Sequence, residues 1–289
     1  EAMISLAEKN VQKKELVDEK HRTVHHLSAR NAQLEEMVQQ FDDSIRYAGR
    51  LQQSILPPLH LFEEFFKDAF VFFRPRDVVS GDFYWLHRFK NDIYFAVGDC
   101  TGHGVPGALV NIAGNTILRQ LIRQDGVNDP GVIMYLLNEE LVSLFNENMT
   151  SGSTDDGMDI VFCKFNLDEM KGSYCGAGRP LIMIRDGELI EFKKGPSSIG
   201  YRSGETKVFE TESFDLCYGD SFYLFSDGYT DQFGGDNVKK FNRKRFRNLL
   251  LSIHEQKMKR QGKEIALSFE SWKGKHEQID DVCVVGVQV

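Results

Sequence analysis

Aspartates stand at the ends of several strongly apolar segments of this sequence. Asp99 ends IYFAVGD, Asp227 ends FYLFSD, Asp82 opens DFYWL, and Asp280 and Asp281 open DDVCVVGVQV. Carboxylates are rarely buried unless they are paired or bind a metal ion. Clustered carboxylates suit Mg²⁺ or Mn²⁺, and two such ions can hold a water for attack on phosphorus. From the residues alone, a metal site and a set of ordinary strand-to-turn aspartates both remain open.

The segment that follows Asp99, CTGHGVPGALV, is rich in glycine around His103. It fits a phosphate-cradling loop, a metal site or a tight turn from a strand into a helix. The thiol of Cys100 has no base at a recognisable spacing, so we expect it to pack rather than to act as a nucleophile. For His103 we favour a position at the helix entry, or a hydrogen bond to the site, over a role as the acid for a leaving group.

Arginines provide two further candidate features. Arg74 and Arg76 precede Asp82 by a few residues and could hold a phosphate group in a bidentate manner, or they could form an ordinary surface pair. The run KKFNRKRFR, Lys239–Arg247, is the one strong basic cluster. It fits either a docking surface for an acidic phosphoprotein or a solvated helix face.

The elements that must position these residues are read from apolar periodicity. Seven runs predict strands: DAFVFFRP, DIYFAVGDC, DIVFCKFNL, GSYCGAG, LIMIRDGELIEF, DSFYLFSDG and DDVCVVGVQV. Helices are predicted at about 107–123, 131–146 and 243–260. Because the strands come in runs with the helices bunched between them, the pattern favours an α+β layered domain over alternating βαβ units.

A helical stalk is predicted for residues 1–56, ahead of a globular domain at 57–289. A heptad register places apolar residues at 11 of 16 a and d positions, and Pro57-Pro58 ends it. Valine or isoleucine at a with leucine at d favours a parallel dimer, and Asn10 and Asn31 at a would fix its register. The alternative is an amphipathic helix that lies on its own domain.

Composition limits the class of protein. The net charge of −8 argues against a general nucleic-acid binder. The five scattered cysteines never form a CxxC pair, which favours a reducing compartment over zinc or disulfides. No apolar run reaches the roughly 18 residues of a membrane span. We expect a cytoplasmic protein, or the cytosolic part of a membrane-anchored sensor, and a piece of a longer chain.

The ordered segments LQQSILPP, FFRPRDVVSGDFYW, VGDCTGHGVPGALV, DGMDIVFCKF, LFSDGYTDQFGG and QIDDVCVVG carry a specific resemblance. They are similar to the SpoIIE/RsbU-type branch of the metal-dependent (PPM, protein phosphatase 2C-like) serine/threonine phosphatases. The resemblance spans about residues 51–289. It implies a central β-sandwich flanked by helices in αββα layers, with a binuclear metal centre at one end.

The resemblance also assigns roles to residues. Asp99 would bridge two divalent cations, Mn²⁺ or Mg²⁺, and Asp99 and Asp227 would be central to catalysis. The implied metal ligands are Asp82, Asp99, the carbonyl of Cys100, Asp227 and Asp280, with Asp281 ranked below its neighbour. Some relatives hold a third ion, and Asp156 would serve it. Arg74 and Arg76 are the candidates for binding the substrate.

The function implied is hydrolysis of phosphoserine or phosphothreonine on a partner protein, by attack of a metal-bridging hydroxide. The partner would be of the anti-sigma-factor-antagonist type, and no nucleic acid is expected. An upstream sensor domain would act through the N-terminal helix of a homodimer. One alternative is a dimeric adaptor that binds phosphoproteins with little or no catalysis (a pseudophosphatase), and another is a phosphatase for small phosphate esters.

Overall fold

The computed structural model describes residues 2–146, 156–195, 197–200 and 207–289. It divides into two compact units, residues 1–48 and 49–289, which are described separately. Helix α1 spans Ala2–Ile55. The side chains of residues 2–12, 15, 17, 18 and 146 lie outside the described part, and with them the predicted heptad residues Met3, Leu6, Asn10 and Val17.

Residues 13–48 of α1 carry a row of exposed apolar side chains at heptad spacing. Each is more than half exposed in the single chain: Val24 (54%), Leu27 (55%), Leu34 (56%), Val38 (60%) and Phe41 (65%). Five apolar side chains in one register leave a continuous apolar stripe on the helix. A stripe of this kind marks an interaction surface more often than a solvated face.

The described residues of the second unit form twelve strands. They are β1 Asp68–Arg74, β2 Phe83–Phe89, β3 Asp92–Cys100, β4 Met158–Asn166, β5 Lys171–Ala177, β6 Leu181–Arg185, β7 Glu188–Phe192, β8 Glu212–Asp215, β9 Ser221–Phe225, β10 Phe233–Gly234, β11 Lys239–Lys240 and β12 Val282–Gln288. Two antiparallel sheets contain ten of them, in the orders β1-β12-β9-β6-β7 and β2-β3-β4-β5-β8, and β10 pairs with β11.

The helices described in this unit are α2 Leu59–Phe65, α3 Gly104–Leu121, α4 Pro130–Asn146, α5 Gly228–Asp231, α6 Asn242–Ile253 and α7 Met258–Lys273. Helices α3 and α4 cover the outer face of one sheet and α5, α6 and α7 that of the other, whereas Phe62 of α2 belongs to the core between the sheets. Phe95 and Val97 of β3 point into the core between the sheets, whereas Tyr94 and Ala96 join the core under α3 and α4. This alternation follows from the period of two along a strand. The αββα sandwich expected from the sequence is confirmed.

The predicted helix over 243–260 is instead two helices, α6 and α7. The sequence between them, HEQK, contains neither glycine nor proline. The N-terminus of α7 is capped from a distant strand, because the amide of Met258 donates to Asp68 Oδ2 at 2.8 Å. A cap supplied by tertiary structure leaves no local signal, which explains the error.

Four of the five cysteines, Cys100, Cys163, Cys175 and Cys283, are buried, and Cys217 is exposed. All five are free thiols. Within the described part of the chain, no helix is both long and apolar enough to cross a bilayer.

Candidate metal centre

An acidic cavity of about 440 Å³ opens where the ends of the two sheets meet. The acidic and basic residues that line it are four aspartates, two arginines and a histidine: Asp99, Asp159, Asp227, Asp280, Arg76, Arg179 and His103. Asp99 lies on β3 of one sheet, and Asp227 follows β9 of the other. The sandwich therefore brings together residues that are far apart in sequence.

Asp99 and Asp159 are directly paired across the β3–β4 ladder. Like charges in such positions repel. The guanidinium of Arg179 lies beside them, where Nη2 contacts Asp99 Oδ2 and Nε stands 3.6 Å from Asp159 Oδ2. Nη2 also lies 2.9 Å from Asp227 Oδ2, so one arginine joins carboxylates from both sheets.

Arg179 reaches this position from a tight turn after β5. Gly178 adopts a left-handed φ of 72°, and a Cβ there would lie 2.2 Å from a carboxylate oxygen of Asp159. The glycine therefore permits Asp159 and Arg179 to approach each other. Arg179 is only 5% exposed, and its Nε is buried without a hydrogen-bond partner among the described residues.

Burial and crowding disfavour the charged form of these carboxylates. Burial, with added repulsion from Asp227 and Asp280, raises the pKa of Asp99 to about 8, although Arg179 opposes the shift. Burial likewise raises the pKa of Asp82 well above its usual value, and Asp99 and Asp280 add to this rise. The hydroxyl of Ser226 donates to Asp82 and partly offsets the cost. A bound cation would favour the ionised form of the whole cluster.

The neighbouring aspartates Asp280 and Asp281 have different surroundings. Asp281 is 3% exposed, and its two oxygens accept the backbone amides of Arg76 and Gly81, both at 2.7 Å. Both oxygens are thus used to hold the loop that leads to Asp82. Asp280 lines the acidic cavity instead, and burial raises the pKa of its carboxyl.

The same loop is also held by the last turns of α1. Gln52, which is 4% exposed, donates from Nε2 to the carbonyl of Ser80 at 2.7 Å and accepts the amide of Ser80 at 2.9 Å. Asn111 of α3 donates to the carbonyls of Ser80 and Asp82 at 3.2 and 2.9 Å. The position of Asp82 therefore depends on two helices.

Some of the remaining residues that the sequence predicts for the site line the cavity and others do not. Arg76 lines it and donates to the carbonyl of Ile279 at 3.1 Å, whereas Arg74 pairs with Glu270 of α7 and packs over Phe269. Asp156 is not among the lining residues, and it accepts the hydroxyl of Thr101 at 3.3 Å.

His103 precedes α3, where its exposed ring lies 3.2 Å from Asp77 Oδ2. The backbone and side chain of Cys100 are placed at the end of β3, next to Asp99, and the residue lines the cavity.

Sequence reasoning missed Arg179 and Asp159. A signal existed for Arg179, since it is a lone cation between an apolar strand and the apolar run LIMI. Asp159 lies three residues after Asp156 in the segment DDGMD, but only the strand register brings its side chain beside Asp99. Pairing across strands cannot be read from either segment alone.

The donor chemistry fits hard divalent cations, because the carboxylates of Asp99, Asp227 and Asp280 line one cavity. Asp82, which the sequence predicts as a further ligand, is not among the lining residues, and its carboxylate accepts the hydroxyl of Ser226. Among the described residues, however, no three acidic, histidine or cysteine side chains are arranged as a ready coordination shell. The guanidinium of Arg179 instead stands between Asp99 and Asp227. The types of residue present suit a metal centre. In this structure the guanidinium of Arg179 lies between two of the carboxylates that would bind the metal.

Comparison with known proteins identifies the family of the chain. Residues 90–289 match the family model described as Stage II sporulation protein E (SpoIIE). The chain is 23% identical over 198 residues to the phosphoserine phosphatase RsbU of Bacillus subtilis (strain 168), a match that covers 67% of this chain and 55% of RsbU. The chain thus spans about half the length of this curated relative.

Solved structures of PP2C-type domains are similar to this chain. The SiaA-PP2C domain of Pseudomonas aeruginosa superposes with a TM-score of 0.77 at 28% identity, covering 87% of this chain and 98% of that one. The PP2C domain of SpoIIE from Bacillus subtilis, solved with a fragment of its regulatory domain, gives 0.61 at 15% identity over 76% and 62% of the two chains, and supports the fold alone. The sandwich is therefore a PP2C-type phosphatase fold, and the chain belongs to the SpoIIE family.

Proposed function

We propose that this chain is a metal-dependent protein serine/threonine phosphatase, with residues 57–289 as its catalytic domain. The observation that carries the proposal is the meeting of Asp99 and Asp227 from opposite sheets inside one acidic cavity. The relative RsbU is named a phosphoserine phosphatase, which supports phosphoserine as the group hydrolysed.

Divalent cations would be held by Asp82, Asp99, Asp227, Asp280 and the carbonyl of Cys100. Membership of the PP2C-type family implies such ions in general, and Mn²⁺ or Mg²⁺ suits an all-oxygen donor set. Bound there, they would neutralise phosphoryl oxygens and lower the pKa of a water molecule. Asp156, hydrogen-bonded to Thr101, is the candidate ligand for a third ion.

The chain's own groups would orient the reactants. Arg76 lines the acidic cavity and would hold the phosphoryl group of the substrate. Arg179 would keep the carboxylates of Asp99 and Asp227 in place. Burial raises the pKa of the Cys100 thiol well above its usual value, so Cys100 supplies no thiolate nucleophile and a covalent phosphocysteine is not part of the proposal.

Regulation would act through the N-terminal helix. Two contacts support this part of the proposal, since Gln52 of α1 holds Ser80 and Ser80 lies two residues before Asp82. The exposed apolar stripe of residues 24–41 would pair with a second copy of the chain as a coiled coil. The protein would work in the cytoplasm, under a sensor domain upstream on the full-length chain, on a partner of the anti-sigma-factor-antagonist type.

The test is hydrolysis of a phosphoserine protein and of an aryl phosphate, with and without Mn²⁺. We expect Mn²⁺ to stimulate hydrolysis by the wild type. Asp99→Ala and Asp227→Ala should each lower the rate of hydrolysis about 100-fold or more, because residues that bind a metal ion directly affect activity at least as much as the residues that support them. Asp186→Asn, at an exposed β6–β7 turn, is the matched control.

Absence of stimulation by Mn²⁺ or Mg²⁺, or full activity in both alanine variants, would refute the assignment. Binding of the phosphoprotein without turnover would point to the adaptor instead.

A further inference from the structure

A second cavity of about 360 Å³ shares a wall with the acidic cavity. Asp159, Arg179 and Asp227 line both, and the other charged residues that line the second one are Lys194, Lys240, Arg243 and Asp231. We call it the basic cavity. Whatever occupies the candidate metal centre therefore lies next to a space to which three further cations and one further carboxylate contribute.

The cations that line the basic cavity differ in whether they already form ion pairs. Lys240 is paired, because its Nζ lies 2.6 Å from Asp231 Oδ2. Over the described ranges, Lys194 and Arg243 have neither an ion pair nor a hydrogen bond to a carboxylate. The buried Nε of Arg179, which also lacks a hydrogen bond in this part of the chain, lies on the shared wall. Lys194 and Arg243 are thus the two lining cations of the described chain that are not already paired with a carboxylate.

The fold selects which members of the basic run Lys239–Arg247 reach this space. Asn242, in a left-handed φ of 68°, turns the chain into α6 and accepts the amide of Arg245 at 3.1 Å. Arg243 then lies in the first turn and lines the basic cavity, as Lys240 does.

Two other cations of the run, Arg245 and Arg247, are used elsewhere. Arg247 binds Glu191 at 2.9 Å, and Arg245 packs 4.7 Å from the centroid of the Trp272 ring. The run is therefore neither wholly a solvated face nor wholly a docking surface, since only part of it faces the site.

We propose that the basic cavity binds an acidic side chain of the protein substrate, an aspartate or glutamate next to the phosphoserine. The inference rests on the proposed function and extends it to substrate choice. Neighbouring residues of an extended peptide are about 3.3–3.6 Å apart along the chain, so a flanking side chain suits an adjoining cavity. Arginine is the preferred partner of a carboxylate because it can bind both oxygens at once.

Two synthetic phosphoserine peptides test the proposal. They differ only in the flanking residues, which are glutamate in one and glutamine in the other. With Mn²⁺ and the whole chain, we expect kcat/KM to favour the glutamate peptide by about three- to tenfold, the sum of two partly exposed charge pairs. The preference should shrink as salt rises, because exposed charges are screened.

Variants then locate the effect. Lys194→Gln and Arg243→Gln should each reduce the preference for the glutamate peptide. In the double variant the ratio of the two kcat/KM values should be near one. Lys244→Gln is the control, since Lys244 is an exposed neighbour on α6 that does not line the basic cavity; it should keep the wild-type preference.

Equal kcat/KM for both peptides in the wild type, or an unchanged preference in the double variant, would overturn the inference while leaving the phosphatase assignment intact. Failure of the wild type to hydrolyse either peptide or an aryl phosphate with Mn²⁺ would instead refute the proposed function.

Discussion

Asp99 and Asp159 face each other across neighbouring strands, and the guanidinium of Arg179 lies against both carboxylates. The same guanidinium contacts Asp227 from the other sheet. A buried charge that has lost its partner is far more costly than an exposed one. Arg179 is therefore an internal counter-ion for the carboxylates that we propose as metal ligands, and its removal should make the cluster depend on an external cation.

For Arg179→Gln we expect a loss of about 3–5 kcal/mol in the free energy of unfolding when a chelator is present and the pH is above the pKa of about 8 at which Asp99 ionises. Saturating Mn²⁺ should restore part of that loss, since the ion replaces the missing positive charge. Urea unfolding with chelator and with Mn²⁺ measures both numbers. Arg179→Lys, which keeps the charge, is the control and should lose less; an equal loss with and without Mn²⁺ would contradict the prediction.

The stability of the metal-free protein should fall as pH rises. The folded state holds the Asp99 proton up to a pKa of about 8, whereas the unfolded chain releases it near the ordinary value of 3.8. Between these values the folded state binds more protons, so the free energy of unfolding decreases with pH and levels off above the folded-state pKa.

The measurement is urea unfolding in chelator between about pH 6 and pH 8, where ordinary carboxylates do not titrate. Asp99→Asn should flatten the decline, because the variant has no proton to lose at that position. Parallel curves for wild type and variant would show that Asp99 does not titrate in this range.

Asp280→Ala and Asp281→Ala should fail in different ways. Without Asp281 the buried amide of Gly81 and the amide of Arg76 lose their acceptors, at a cost of about 1–3 kcal/mol for each buried donor. Without Asp280 the loss of stability should be smaller, and the loss of Mn²⁺ affinity larger. Urea unfolding and Mn²⁺ titration calorimetry separate the two effects; a reversed order would exchange the roles assigned to the pair.

Gln52→Leu should weaken the hold on Ser80 while keeping the volume of the side chain. Two hydrogen bonds to the backbone are lost, so we expect about 1–3 kcal/mol of destabilisation and a fall in Mn²⁺-dependent turnover. Gln53→Leu is the matched control, because Gln53 is the exposed neighbour on the same helix. If both variants behave alike, the contact with Ser80 does not position Asp82.

The apolar stripe on α1 should control the oligomeric state. Removal of residues 1–48 should convert a dimer into a monomer, because it removes the stripe. The double change Leu27→Lys and Leu34→Lys should do the same, since each lysine places a charge at a core heptad position. Sedimentation equilibrium gives the mass. Ser28→Lys, next to the stripe, should leave the dimer intact, and a monomeric wild type would reject the coiled-coil proposal.

Much of the fold could be predicted from local patterns. The alternation in β3 sends Phe95 and Val97 to one core and Tyr94 and Ala96 to another, and this period is visible in the sequence. The division of α6 from α7 was not visible, because its cap comes from Asp68, about 190 residues earlier in the chain. Local rules fail where a distant residue supplies the decisive contact.

The candidate site divides along the same line. The strand ends and the ordered motifs predict Asp82, Asp99, Asp227 and Asp280, and the last three of these line the acidic cavity. Arg179 enters the site only through its contacts with Asp99 and Asp227, which require the two sheets to be assembled. The position of its partner Asp159 beside Asp99 depends in turn on the register of β3 and β4.

The unequal burial of the cysteines gives the protein a single point for chemical labelling. Cys217 is the exposed thiol, while the other four are buried. A maleimide dye should therefore modify one position per folded chain and five per unfolded chain. The natural sequence thus allows a fluorophore to be attached at the Cys217 turn without any substitution, and mass spectrometry of the labelled protein would report unfolding directly.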